Sequence, residues 1–223
     1  MINDIKKRFK GTYALLIINI IVFLVMTLSG GTTNNYNLTR FGAIVPSLVK
    51  QGEVWRLLAS DFIHIGFIHL LMNMAFLVQL GPILENIYGT RNFILIYLLS
   101  GLMGSLFVFA LGSERVVSAG ASTSLYGMLG VMVGFLIFHR DDTKLIGLGG
   151  AYVPTIAINF FYSLITPGVS VLGHLGGFVG GLLLTGIIPM LSKDPSKNTI
   201  KGYSSKTLYI ILFIGLNVIG FLF

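Results

Sequence analysis

The 223-residue chain is 54% hydrophobic and only 10% charged, where soluble domains carry about a quarter charged residues, so an ordinary water-soluble fold is excluded. It has no cysteine, which removes disulfides, thiolate metal sites, iron–sulfur clusters and a cysteine nucleophile together. The net charge of +7 would suggest nucleic acid in a soluble protein, but in a membrane protein it first reports which side each loop faces.

A membrane-spanning helix needs roughly 20 apolar residues. Apolar runs predict spans at 12–29, 61–82, 92–112, 121–138, 145–164, 171–191 and 207–223. The first follows a basic leader around Lys6, Lys7 and Arg8 with no small-residue cleavage site before the Asn-rich loop, so it reads as a retained span. Residues 30–60 form a long extracytoplasmic connection. With the amino terminus in the cytoplasm, Lys6, Lys7, Arg8, Lys10, Arg91, Arg140, Lys144, Lys193, Lys197, Lys201 and Lys206 lie inside and Arg40, Lys50, Arg56 and Arg115 outside. That asymmetry is the positive-inside pattern, so the basicity is topological and no nucleic-acid partner is expected. The expected organisation is a cytoplasmic N-terminal segment (1–11), a six-helix core (12–191), a cytoplasmic linker (192–206) and a seventh transmembrane helix (207–223). The 28 glycines follow no collagen-like period and sit within apolar runs, where small residues let membrane helices approach closely.

Polar side chains inside a span are costly and are functional candidates by default. The second span carries His69 and Asn73, four apart on one helical face, with His64 more than a turn earlier. The fourth opens on Gly120, Ala121 and Ser122, with Tyr126 one turn below the serine; the sixth carries His174 just inside its outer end. Spans two, four and six run in the same direction, which puts all three groups at similar depth in the outer half of the bilayer. A serine and a histidine brought together make a nucleophile and its general base, since a free serine hydroxyl is a poor nucleophile at neutral pH. His69, Asn73 and the Ser122 N–H could donate to a developing oxyanion. The competing readings are a packing serine and a structural or proton-handling histidine. A metalloprotease lacks its H-E-x-x-H, and an aspartyl protease lacks a second carboxylate, because Asp61 stands alone at a span end. A transporter or proton channel using the same histidines is the strongest non-hydrolytic alternative.

From about Val54 to Gly181 the chain resembles the rhomboid intramembrane serine proteases. The resemblance is carried in order by Trp55–Arg56; by His64, His69 and Asn73 in H-x-x-x-x-H-x-x-x-N; and by Glu85 and Gly89 in E-x-x-x-G. It continues through Gly120, Ala121 and Ser122 in G-x-S, with Tyr126 four residues on, and through His174, Gly177 and Gly181 in H-x-x-G-x-x-x-G. It implies an all-α polytopic membrane protein with a six-helix core plus one C-terminal helix, and a Ser122–His174 dyad without an acidic third member. It also implies that Tyr126 stacks on His174, that His69, Asn73 and the Ser122 N–H form the oxyanion hole, and that His64 lies nearer the water-accessible mouth. Trp55, Arg56, Glu85 and Gly89 are expected to hold loops and turns, with no pairing of Arg56 to Glu85. Substrates would be transmembrane segments of other proteins in the lipid bilayer, and no metal or cofactor is implied; separately, the short loops fit a bacterial cell membrane. Two residues depart from the family pattern. Thr123 stands where glycine usually follows the nucleophile, adding bulk and a hydroxyl, and Gly173 replaces a small residue that is often alanine.

Overall fold

The computed structural model describes residues 9–191 and 200–222, and among them there is helix and loop but no strand. Of the expected segments 1–11 and 192–206, residues 1–8 and 192–199 lie outside the described residues, and the last helix starts at Ile200 rather than at 207, so the linker does not extend to 206. In chain order the helices are α1 (Lys10–Leu28), α2 (Asn35–Phe41), α3 (Pro46–Lys50), α4 (Arg56–Ala59) with a 3-10 turn Ser60–Phe62, α5 (Phe67–Leu111), α6 (Ser122–Phe138), α7 (Thr143–Ile165), α8 (Val171–Ile187) and α9 (Ile200–Leu222). Helices α1, α5 and α7 and residues 204–222 of α9 are long and apolar enough to cross a membrane; α6 and α8 are shorter apolar helices of 17 residues.

The predicted spans at 61–82 and 92–112 are two arms of α5, broken at Gly89 (φ 77°, ψ 160°). Positive φ is costly for a residue with a Cβ, which is why glycine stands there. The second arm returns to the level where the first begins, since the Ser105 and Ser60 hydroxyls lie 3.4 Å apart. The first arm starts at Phe67 rather than 61 because Ile63 is extended and Gly66 adopts φ 80°. His64 therefore sits in an irregular entry segment and not on the helix.

Glu85 secures the turn at the other end. Its carboxylate accepts from the backbone N–H groups of Gly11 and Thr12 and from the Thr12 hydroxyl, each at 2.8 Å, and from the Thr90 hydroxyl at 2.6 Å. The first N–H groups of any helix lack intrahelical acceptors and carry partial positive charge, so one buried carboxylate caps α1 and ties it to both arms of α5. Glu85→Ala leaves those donors buried and unpaired. Its expected cost is about 3 kcal/mol, measured as a lowered thermal midpoint in detergent, with Glu85→Gln recovering part of it. Arg56 pairs not with Glu85 but with Glu53, and it donates to the carbonyls of Thr39 and Ala43. It anchors the connection between α1 and α5, while Trp55 stacks near its guanidinium and covers Gly42.

Helices α6 and α8 meet backbone to backbone. A Cβ added at Gly177 would strike the Thr123 carbonyl, and one at Gly181 the Gly127 carbonyl; a Cβ at Gly130 would strike the Phe178 carbonyl in return. Glycine at these positions is the condition for the approach. By contrast α7 lies loosely, with only 6% of its most apolar stretch buried within the protein. Helix α9 packs on α5 and α8. Tyr209 donates to the Leu99 carbonyl at 2.8 Å, Phe221 meets Phe109 edge to face at 5.1 Å, and Ser205 fills the space beside Gly186.

Candidate active site

Local sequence determines where each polar side chain emerges. Gly120 takes φ 138°, turning the chain so that α6 begins at Ser122, and a Cβ there would lie 2.6 Å from the His69 ring. A glycine is thus required both by the backbone and by the histidine packed on it. The residue before α6 is Ala121, whose side chain cannot cap, so the N–H groups of the first turn are left for another acceptor. Helix α8 is capped by Ser170, whose hydroxyl accepts from the Gly173 N–H at 3.1 Å, and His174 follows in its first turn.

The starts of α5, α6 and α8 converge. Ser122 Oγ and His174 Nε2 are 2.9 Å apart, although 52 residues separate them in sequence. The Tyr126 ring stacks on the His174 ring, with centroids 3.8 Å apart and planes 10° from parallel. His69 Nδ1 accepts from the Ile65 N–H at 3.3 Å, which leaves its Nε2 as the ring donor. Asn73 Nδ2 donates to the His69 carbonyl at 2.8 Å and retains a second hydrogen. Ser122, His174, His69, Asn73 and Tyr126 all line one cavity of about 770 Å³. His64, expected near the mouth, instead is fully buried and does not line the cavity; its ring lies against His69 at 5.2 Å. The irregular path from Ile63 to Gly66 turns it inward. Beside the cavity, Lys50 donates to Glu114 at 2.6 Å, linking α3 to the α5–α6 loop, and its ammonium holds this exposed carboxyl below the ordinary carboxylate range. Among the described residues no group of three His, Asp or Glu side chains comes together as a metal would require.

Two features were not anticipated. Asp61, expected to stand alone, accepts from the Thr123 hydroxyl at 2.6 Å and from the Ser124 hydroxyl at 3.0 Å, with its carboxylate closely packed on Gly101. A carboxylate therefore does lie at the depth of Ser122, but it holds the first turn of α6 rather than His174. Thr123, read from sequence as added bulk and a hydroxyl, uses that hydroxyl as a hydrogen-bond donor that stabilises this buried acid. Thr123→Gly removes the donor and places glycine in a helix, so a loss of about 2 kcal/mol is expected. Thr123→Ser should recover most of it; thermal midpoints of the two purified variants provide the comparison. The second feature is Ser163 on α7, whose Oγ stands 2.8 Å from His174 Nδ1 and 2.6 Å from the Tyr126 hydroxyl. A spacing signal was present: Asn159 and Ser163 are four apart on one face of an otherwise apolar helical stretch.

Residues 51–190 match the family model described as the Rhomboid domain. The chain is 32% identical to the rhomboid protease GluP of Bacillus subtilis over 212 residues, 95% of this chain and 40% of that protein. It is 36% identical to RHOMBOID-like protein 5 of Arabidopsis thaliana over 153 residues, 66% of this chain and 48% of that one. The putative rhomboid protease YdcA of Bacillus subtilis is 32% identical over 142 residues, 61% of this chain and 68% of its own length. The chain thus spans less than half the length of the first two relatives.

Proposed function

The chain belongs to the rhomboid family, and from that premise we propose that it is an intramembrane serine endopeptidase that cleaves transmembrane segments of other membrane proteins through Ser122 and His174. The observation that carries the reading is the 2.9 Å contact of Ser122 Oγ with His174 Nε2 inside a cavity that also holds His69 and Asn73.

In this mechanism a substrate carbonyl enters the cavity beside Ser122. His174 Nε2 takes the hydroxyl proton as Oγ attacks, forming a tetrahedral adduct with negative charge on the former carbonyl oxygen. His69 Nε2–H, the free hydrogen of Asn73 and the Ser122 N–H donate to that oxygen. His174 then gives its proton to the leaving amine, the C–N bond breaks and an acyl-Ser122 remains. Water, deprotonated by the same imidazole, hydrolyses the ester and restores the hydroxyl. The stacked Tyr126 ring keeps the imidazole in plane through both half-reactions.

A helical substrate hides its carbonyls in its own hydrogen bonds, so the segment cut must unwind locally. Glycine near the cut favours that unwinding. The charge asymmetry of the loops supports a cytoplasmic amino terminus and a site in the outer half of the membrane. The test is incubation of purified protein in detergent or liposomes with a generic transmembrane substrate and EDTA, alongside labelling by a serine-directed fluorophosphonate. Fragments and label with the native protein, and neither with Ser122→Ala, are expected. Cleavage that persists in Ser122→Ala would falsify the assignment.

A further inference from the structure

Ser163 is 2% exposed although the helix that carries it is turned almost wholly outward. It sits among Tyr126, Asn159 and His174, a group that the reaction described above uses only in part. The Ser163 hydroxyl donates to the Asn159 carbonyl at 2.8 Å, and the Tyr126 hydroxyl reaches the same carbonyl at 2.7 Å. With the Ser163–Tyr126 contact at 2.6 Å and the Ser163–His174 contact at 2.8 Å, four close polar contacts share one network.

Two hydroxyl hydrogens cannot fill four contacts. If His174 Nδ1 is bare, Ser163 must spend its hydrogen on it, and only two of the four become hydrogen bonds. If Nδ1 carries the proton, it donates to Ser163 Oγ, Ser163 donates to Asn159 and Tyr126 donates to either oxygen. Three contacts are then satisfied. One extra buried hydrogen bond favours the Nδ1–H tautomer about fivefold in population. A neutral imidazole protonated at Nδ1 is bare at Nε2, and Nε2 is the atom that faces Ser122.

We propose that Ser163 is a positioning residue that selects the His174 tautomer able to accept the Ser122 proton, so that an uncharged side chain on α7 takes the orienting place that a carboxylate holds in a Ser-His-Asp triad. The kinetic consequence rests on the endopeptidase reading; the tautomer does not. Ser163 Oγ also lies close enough to accept from Nδ1–H after Nε2 has been protonated, so it holds the ring through the charged stage as well. No proton is transferred to Ser163.

The experiment is nitrogen NMR of the full-length protein with labelled histidine in detergent, His174 being assigned by difference from His174→Ala. In the substrate-free native protein the expected signature is a protonated Nδ1 and a bare Nε2. Ser122→Ala should retain it, Ser163→Ala should shift it toward a mixture, and Ser163→Thr should restore it. Cleavage by Ser163→Ala should fall about tenfold in kcat with KM nearly unchanged, and recover in Ser163→Thr. A native His174 protonated at Nε2, or a ratio unmoved in Ser163→Ala, overturns the proposal. Because the spectra need no substrate, the expected tautomers with no cleavage by the native protein would reject the endopeptidase reading and leave the positioning role supported.

Discussion

Ser122→Ala and His174→Ala are each expected to lower peptide-bond cleavage by about 10⁴-fold or more, and the double variant to lower it no further. The two groups lie 2.9 Å apart and share one proton, so neither has a function without the other. Alanine at 122 removes the attacking oxygen. Alanine at 174 leaves the oxygen in place but gives its proton nowhere to go, and attack by an un-ionised hydroxyl is slow at neutral pH. If the side chains acted independently, the losses would multiply to about 10⁸-fold; if they act as a unit, the second removal costs nothing. What remains in all three variants is the contribution of the donors near His69 and Asn73 and of substrate binding, which should be the same in each. Cleavage rates for the four proteins, measured on one transmembrane substrate at equal folded concentration, decide between these outcomes. A double variant much slower than either single one would show that Ser122 and His174 serve separate steps.

Much of this site is legible in the sequence because membrane insertion leaves few places for a polar residue. Ser122, His69, Asn73 and His174 stand out against apolar spans, and parallel helices carry them to one depth. The glycines at 177 and 181 are likewise visible as a packing stripe. What stays hidden depends on contacts between segments whose periodicity says nothing about each other. Asp61 looks isolated because the partners that satisfy it, Thr123 and Ser124, are 62 and 63 residues away. The hydroxyl that Thr123 adds has no visible purpose in the sequence for the same reason, and in the fold Asp61 and Thr123 explain one another. The position of His64 is hidden because the apolar run suggests a helix from residue 61, whereas Gly66 at φ 80° stands just before the start of α5 and the segment ahead of it is irregular. Ser163 required knowing that α7, for the most part turned outward, brings one polar side chain inward near its end.

Gly177→Ala, a change of one methyl group, is expected to lower cleavage about 100-fold. The added Cβ would collide with the Thr123 carbonyl, and backbone cannot yield as a flexible side chain can. To restore an ordinary contact α8 must retreat from α6 by about an ångström or more. His174 is three residues earlier on the same helix and moves with it, opening its contact with Ser122 beyond hydrogen-bond range. The loss should appear in kcat rather than KM, and fluorophosphonate labelling of Ser122 should slow in proportion. Gly150 and Gly215 provide the control, since a Cβ at either meets nothing within 4 Å. Alanine there should leave activity intact and can only favour the helix, alanine being the better helix former. Equal activity of Gly177→Ala and Gly150→Ala would mean that the Ser122–His174 distance does not depend on how closely α6 and α8 approach. A selective loss in Gly177→Ala, with the protein still folded by its thermal transition, would tie the chemistry to the absence of a single side chain between two helix backbones.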